Sequence, residues 1–219
     1  MKITRPSLDE NTPYWDTFYK NLKLSVPSQF CAMVAVELSS EAIVIEFGCG
    51  NGRDAFYFAS RGLKLIAMDL SQQAINMCSE RAVKDGFNHA SFVQGSLADA
   101  DDIANQFALA REISKGNAIT CYSRFVMHSI NDEQQSGFLK ALGNEMKSGE
   151  KLYLEFRSKE DADLEKTFGN HYRRFVETDA FIKESAANGF SLDYRMTGQG
   201  MARYKREDPF VSRLILIRN

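Results

Sequence analysis

The sequence has few of the features that tie a chain to a membrane, a metal or a polyanion. No run is long and apolar enough to span a bilayer. The start, Met1-Lys2-Ile3-Thr4-Arg5-Pro6-Ser7, lacks the apolar stretch of a secretory signal. A cytoplasmic chain without a membrane span is therefore expected. Cys31, Cys49, Cys78 and Cys121 show no C-x-x-C spacing, so zinc is not expected and buried free thiols in a reducing compartment are. The net charge of −2 gives no sign of a nucleic-acid partner. No internal repeat and no low-complexity segment is present. With 219 residues the chain is long enough for one sizeable core and short for two. One domain over residues 1–219 is expected, with a leader (1–40), a core (41–157) and a closing segment (158–219).

The densest signal is Val44-Ile45-Glu46-Phe47-Gly48-Cys49-Gly50-Asn51-Gly52-Arg53-Asp54. An apolar, β-branched run predicts a buried strand, the glycines predict a turn, and Asp54 to Ala59 reads as the start of a helix. Alternating glycines remove side chains where a backbone turns tightly and approaches a ligand. The helix that follows offers its free N–H groups to that ligand. A dinucleotide fingerprint, G-x-G-x-x-G, fails because its third position is Arg53. A phosphate loop fails because no Lys-Ser or Lys-Thr follows.

What stands there is Glu46-x-Gly48-x-Gly50-x-Gly52, which is similar to motif I of the class I S-adenosylmethionine (SAM)-dependent methyltransferases. A glycine turn in an unrelated α/β domain is the competing reading. The fold class the resemblance implies is α/β: a three-layer, Rossmann-like, seven-stranded, mostly parallel sheet with an antiparallel last strand. Residues about 42 to 155 carry the resemblance in motif content and order. Tyr14-Trp15-Asp16 with Phe18-Tyr19, Pro27-Ser28-Gln29-Phe30, Tyr122-Ser123-Arg124-Phe125 with His128, and Glu207-Asp208-Pro209 narrow it. That wider pattern resembles bacterial small-molecule methyltransferases associated with capsule and cell-surface polysaccharide synthesis. Asn-Pro-Pro-Tyr-like motifs of amino-methylating nucleic-acid enzymes are absent.

Asp69 closes a second short strand, Leu63 to Asp69, where a carboxylate can accept both ribose hydroxyls of an adenosyl group. That geometry serves nicotinamide and SAM cofactors alike, and Ser71 is the better cap for the next helix. A third strand, Ala90 to Gln94, ends at Gly95-Ser96-Leu97-Ala98-Asp99. Family members often carry an acid right after this glycine, against the adenine amino group. Here Ser96 occupies the position, with Asp99 or a backbone group as alternatives. The cofactor set the resemblance implies is Glu46, Gly48, Gly50, Gly52, Asp69, Leu70, Ser96, Leu97, Tyr122 and Trp15. Trp15 belongs to a leader that either folds over the cofactor or only covers the sheet.

Beyond the fourth strand, Asn117 to Tyr122, Arg124 and His128 would share a face if the segment is helical. His128 can take a proton near neutrality, or it is a satisfied buried histidine. His128 and Tyr122 are the candidate catalytic residues. Glu155 and Arg157 close the fifth strand, Lys151 to Arg157, where ligands sit in open α/β sheets. Arg124, Arg157, His171, Arg173, Arg174, Arg203 and Lys205 are the candidate substrate-binding residues, since a guanidinium fork grips carboxylate or phosphate. A solvated charge run is the competing account of His171, Arg173 and Arg174.

The expected activity is SAM-dependent methyl transfer to a small, anionic acceptor such as a sugar, phosphorylated sugar or phosphoramidate. A nicotinamide-dependent oxidoreductase and a non-catalytic SAM-binding subunit are the alternatives. Oligomeric state is left open.

Overall fold

A computed structural model describes residues 26–164, 166 and 172–219. Seven strands form one sheet in the order β3-β2-β1-β4-β5-β7-β6. They are β1 (Ile43–Phe47), β2 (Lys64–Asp69), β3 (Ala90–Gln94), β4 (Ile119–Arg124), β5 (Lys151–Arg157), β6 (Phe190–Gly198) and β7 (Val211–Arg218). The first five run parallel, and β7 lies antiparallel to both β5 and β6. Among the described residues α1 (Gln29–Glu37) precedes β1, and five helices connect strands: α2 (Ala55–Ser60), α3 (Gln72–Asp85), α4 (Ala100–Ser114), α5 (Asp132–Glu145) and α6 (Thr178–Ala187).

Side chains on a strand alternate faces, and that alternation divides the core in two. Ile43, Ile45 and Phe47 of β1 join Phe107 of α4, Phe138 and Leu142 of α5 and Phe181 of α6 on one face. Val44, with Tyr122 of β4, Tyr153 of β5 and Ile215 of β7, joins Phe30 and Val34 of α1 and Phe58 of α2 on the other. A sheet buried on both faces needs near-continuous apolar strands, and β1, β2 and β4 supply them.

The helix starts follow their sequence signals. Ser28 caps α1 by accepting from Cys31 N, and Ser71 caps α3 by accepting from Ala74 N. Asn131 and Gln134 form a reciprocal capping box at α5. Gly189, at φ +85, follows α6. Among the described residues, no helix is long and apolar enough to cross a membrane. All four cysteines are buried and unbridged.

Two local expectations change. β4 runs to Arg124 rather than stopping at Tyr122. The segment after it is a turn, not a helix, so Arg124 and His128 do not share a helical face. Phe125 breaks the run by adopting φ +60, a left-handed conformation that is strained for a bulky residue.

Candidate active site

The carboxyl ends of β1, β2, β4 and β5 meet at one edge of the sheet, and the site is built there. Gly48, Gly50 and Gly52 all have positive φ, +80, +53 and +72. A Cβ on Gly48 would lie 2.2 Å from Val126 Cγ2, so the turn after β4 packs directly on the first glycine. The turn is tied to β2: Gly48 N and Cys49 N both donate to Met68 O, at 2.7 and 3.0 Å. Gly50 N donates to Asp69 Oδ2 at 2.7 Å, and Ser71 N donates to Asp69 Oδ1 at 2.9 Å. Asp69 therefore fixes the glycine turn to the start of the helix after β2.

Glu46 points to the face shared with α1, α2 and α3. It is 3% exposed, and its Oε2 has no hydrogen-bond partner. Burial, then the neighbouring Asp54, pushes its carboxyl well above the usual range. A cradle edged by Glu46 and Asp69, with an unpartnered buried oxygen, fits an adenosyl cofactor that carries hydroxyls and positive charge. Leu97 is buried in the core and Leu70 packs partly against the same cluster. Ser96 N donates to Asp102 Oδ2 at 2.8 Å. Asp99 is occupied elsewhere, accepting from Asp101 N and Asp102 N as the cap of α4.

The other side of the edge differs from the expectation. Tyr122 is fully buried, and its hydroxyl donates to Asp54 Oδ2 at 2.8 Å. Burial, reinforced by Asp54, raises its pKa well above the ordinary tyrosine value. A phenol in that position has no route to a substrate proton, so Tyr122 is not placed as a base. Ser28 donates to the same carboxylate from its backbone N (2.7 Å) and its hydroxyl (2.7 Å).

Arg124 and Arg157 are committed to internal ion pairs. The register sets Arg124 opposite Glu155 and Glu155 opposite Arg213. Arg124 Nε donates to Glu155 Oε1 at 2.7 Å, and Arg213 Nε donates to Glu155 Oε2 at 2.6 Å. Arg157 donates to Asp161 Oδ2 at 2.6 Å and to Glu207 Oε1. It is 5% exposed. The Arg157 fork is therefore occupied, whereas Arg124 is engaged through Nε. Arg174 is also engaged, donating to Asp132, to Gln135 and to Met127 O at 3.0 Å. Arg173 is partly exposed. Arg203 is 69% exposed in its side chain and lies 3.9 Å from Asp208. Lys205 is exposed, with its ammonium over the Tyr204 ring. Trp15 and His171 lie outside the described residues.

His128 is brought to this edge. It is 4% exposed, and its ring meets that of Phe125 edge-on at 5.3 Å. Its Nδ1 accepts from Arg157 N at 3.3 Å. A neutral ring that accepts at Nδ1 carries its proton on Nε2, so this hydrogen bond assigns Nε2 as a donor. Arg174 N donates to His128 O at 2.7 Å, which docks the 172–176 segment on the same turn.

Three residues that sequence reasoning passed over hold this side together: Asp54, Asp161 and Glu207. Asp54 stood in the motif and was read only as helix. Glu207 lies 50 positions from its partner Arg157 with no short-range pattern to connect them, whereas Asp161 is only four residues from Arg157.

Residues 44–149 match the family model described as methyltransferase domain. Among solved structures, an SAM-dependent methyltransferase from Anabaena variabilis superposes with a TM-score of 0.75 at 17% identity, covering 100% of this chain and 99% of that one. The [4+2]-cyclase SpnF superposes at 0.72 with 11% identity, covering 98% and 97%. The glycopeptide N-methyltransferase MtfA in complex with SAM superposes at 0.65 with 16% identity, covering 89% and 95%. At these identities the three likenesses establish the fold alone. The methyltransferase-domain match over residues 44–149 supports reading the chain as a SAM-dependent methyltransferase, on the fold that these structures share.

Proposed function

We propose that the acceptor is a small molecule whose reacting atom arrives already deprotonated, with an anionic end held by Arg173, Arg203 and Lys205. The observation that carries this reading is the Arg157 N to His128 Nδ1 hydrogen bond at 3.3 Å. It leaves the histidine with a donor at Nε2 and no lone pair there to receive a proton. In that tautomer His128 is not the acceptor's base. A phosphate, carboxylate or other anionic oxygen, or a neutral amine, needs no base before it attacks. The exposed basic side chains of the 199–210 loop support the anionic choice, since the loop joins β6 to β7 beside the end of β5.

When bound, SAM supplies an electrophilic methyl group on a sulfonium leaving group. The chain's own part is alignment. Asp69 and the glycine turn would hold the adenosyl end, and Glu46 would meet the cofactor's positive charge. Phe125 and His128 form the wall after β4. Orientation of this kind lowers a barrier by up to about 7–11 kcal/mol in the best cases.

The test is a radiolabelled methyl-transfer screen of phosphorylated sugars, phosphoramidates, carboxylates, amines and neutral sugars. Sugar phosphates come first because the sequence pattern resembles polysaccharide-associated enzymes. Turnover on an anionic acceptor, with a rate flat through the histidine pH range, is expected. Turnover confined to neutral alcohols, with a rate that rises through a pKa near 6.5 and loses that rise in His128→Gln, would overturn the reading.

A further inference from the structure

Glu46 sits at the fourth position of β1, in the middle of the sheet and 3% exposed. The groups that face it come from every element packed around it. Asp54 faces it from the start of α2, Asp69 from the end of β2, Cys78 from α3 and Arg124 from β4. Cys31, Cys49 and Tyr122 complete the surroundings, all held in their neutral forms chiefly by burial and, for Cys49, by hydrogen bonding to Cys78. The cation among these neighbours, Arg124, is already bound to Glu155 at 2.7 Å. Two like charges, a committed cation and an unpartnered Oε2 make this a poor place for an unliganded carboxylate. An ionised oxygen without a donor in such a setting is strongly disfavoured.

We propose that Glu46 carries a proton in the ligand-free protein and that cofactor binding expels it. The reading rests on the cofactor assignment made above. The step balances simply: the carboxylic acid O–H breaks, the proton goes to buffer, and the carboxylate left behind faces the positive charge of the cofactor. The ligand's ammonium takes the place of the proton beside Glu46. Cofactor affinity then rises with pH, up to about tenfold per unit below the pKa of Glu46. The rise stops where the ligand's own amino group loses its charge, near about 7.7–8.0 for an α-amine.

Isothermal titration calorimetry at pH 6.5 reads the proton directly. S-adenosylhomocysteine, which keeps the charged amino-acid end, is titrated into the full chain in buffers of different ionisation enthalpy. The slope of observed heat against buffer enthalpy is the number of protons released. A slope near one is expected for the natural sequence. A slope near zero is expected for E46Q, and also for 5′-methylthioadenosine, which lacks the amino-acid end. Binding of S-adenosylhomocysteine with no proton release overturns the proposal while leaving the cofactor reading intact. An equal slope in E46Q, or full release with methylthioadenosine, also overturns it. Failure of both ligands to bind removes the cofactor reading itself. The two arms on the natural sequence decide the matter even if E46Q does not fold.

Discussion

Tyr122 donates its phenolic hydrogen to Asp54 at 2.8 Å, and Ser28 donates twice to the same carboxylate. One buried side chain thus joins β4, the helix that follows the glycine turn, and the cap of α1. The sheet and the helix in front of it are locked at the point where the cofactor cradle begins.

The first prediction separates that structural role from a chemical one. Tyr122→Phe removes one of three donors to Asp54 and should cost about 1–3 kcal/mol in urea unfolding. Turnover should stay within a few-fold. Asp54→Ala strands three buried donor groups and should cost more, roughly 3–5 kcal/mol by analogy with broken buried ion pairs. A hundredfold loss of turnover in Tyr122→Phe with unchanged stability would restore the phenol as a catalytic group.

Arg157 offers a second test. Its guanidinium bridges Asp161 and Glu207, both buried. Arg157→Ala removes a guanidinium from two buried carboxylates, leaving Asp161 with Lys166 at 3.4 Å, and should destabilise by roughly 3–5 kcal/mol. The 199–210 loop loses an anchor at the same time. Trypsin should then cut faster after Arg203, Lys205 or Arg206. Unchanged cleavage would mean that the loop is held by other contacts, such as Arg213 to Met201 O at 2.8 Å.

The close approach of Gly48 to Val126 makes a third prediction. Gly48→Ala adds a methyl 2.2 Å from Val126 Cγ2 at a φ of +80. Overpacking of this kind costs about 1–3 kcal/mol, and the left-handed backbone adds about 1–2. Adding Val126→Ala in that background should recover the packing part only. Both variants can be followed by urea midpoint and by S-adenosylhomocysteine affinity. Full recovery in the double variant would show that the left-handed φ carries no cost.

Glu46 gives stability a pH dependence with a definite sign. Its folded pKa is raised well above the ordinary value, chiefly by burial. Between the unfolded value, about 4.3, and the raised folded value, the native state binds more protons than the unfolded chain. Stability from this group therefore falls as pH rises through that window. Glu46→Gln should flatten the fall and raise the melting temperature of the ligand-free protein at pH 8. An unchanged pH profile would mean that Glu46 is ionised in the empty cradle.

The sheet and the cradle were legible because their signals are local. Short apolar runs marked β1, β2 and β5, Ser71 marked a helix start, and the glycine spacing marked the turn. The substrate side was less legible because its meaning depends on pairing across distance. Arg124, Arg157 and Arg174 look alike in sequence to arginines that grip a ligand. Their partners Glu155, Glu207 and Asp132 reach them only through strand register and loop docking. The helical reading of 123–130 failed at Phe125, whose left-handed backbone no residue preference announces. The tautomer of His128 depends on the backbone N–H of Arg157, twenty-nine positions on.

SpnF shares this fold and is named a cyclase, so ligand binding and methyl transfer both need direct measurement. The most direct is a thermal shift with S-adenosylhomocysteine and NADH side by side, repeated on Asp69→Ala. At about one hundred times its dissociation constant a ligand adds about 2.7 kcal/mol, a rise of roughly 5–10 °C for a chain of this size. A rise with S-adenosylhomocysteine alone, lost in Asp69→Ala, is the predicted result. A rise with NADH alone, or none with S-adenosylhomocysteine, would contradict the assignment of the cradle.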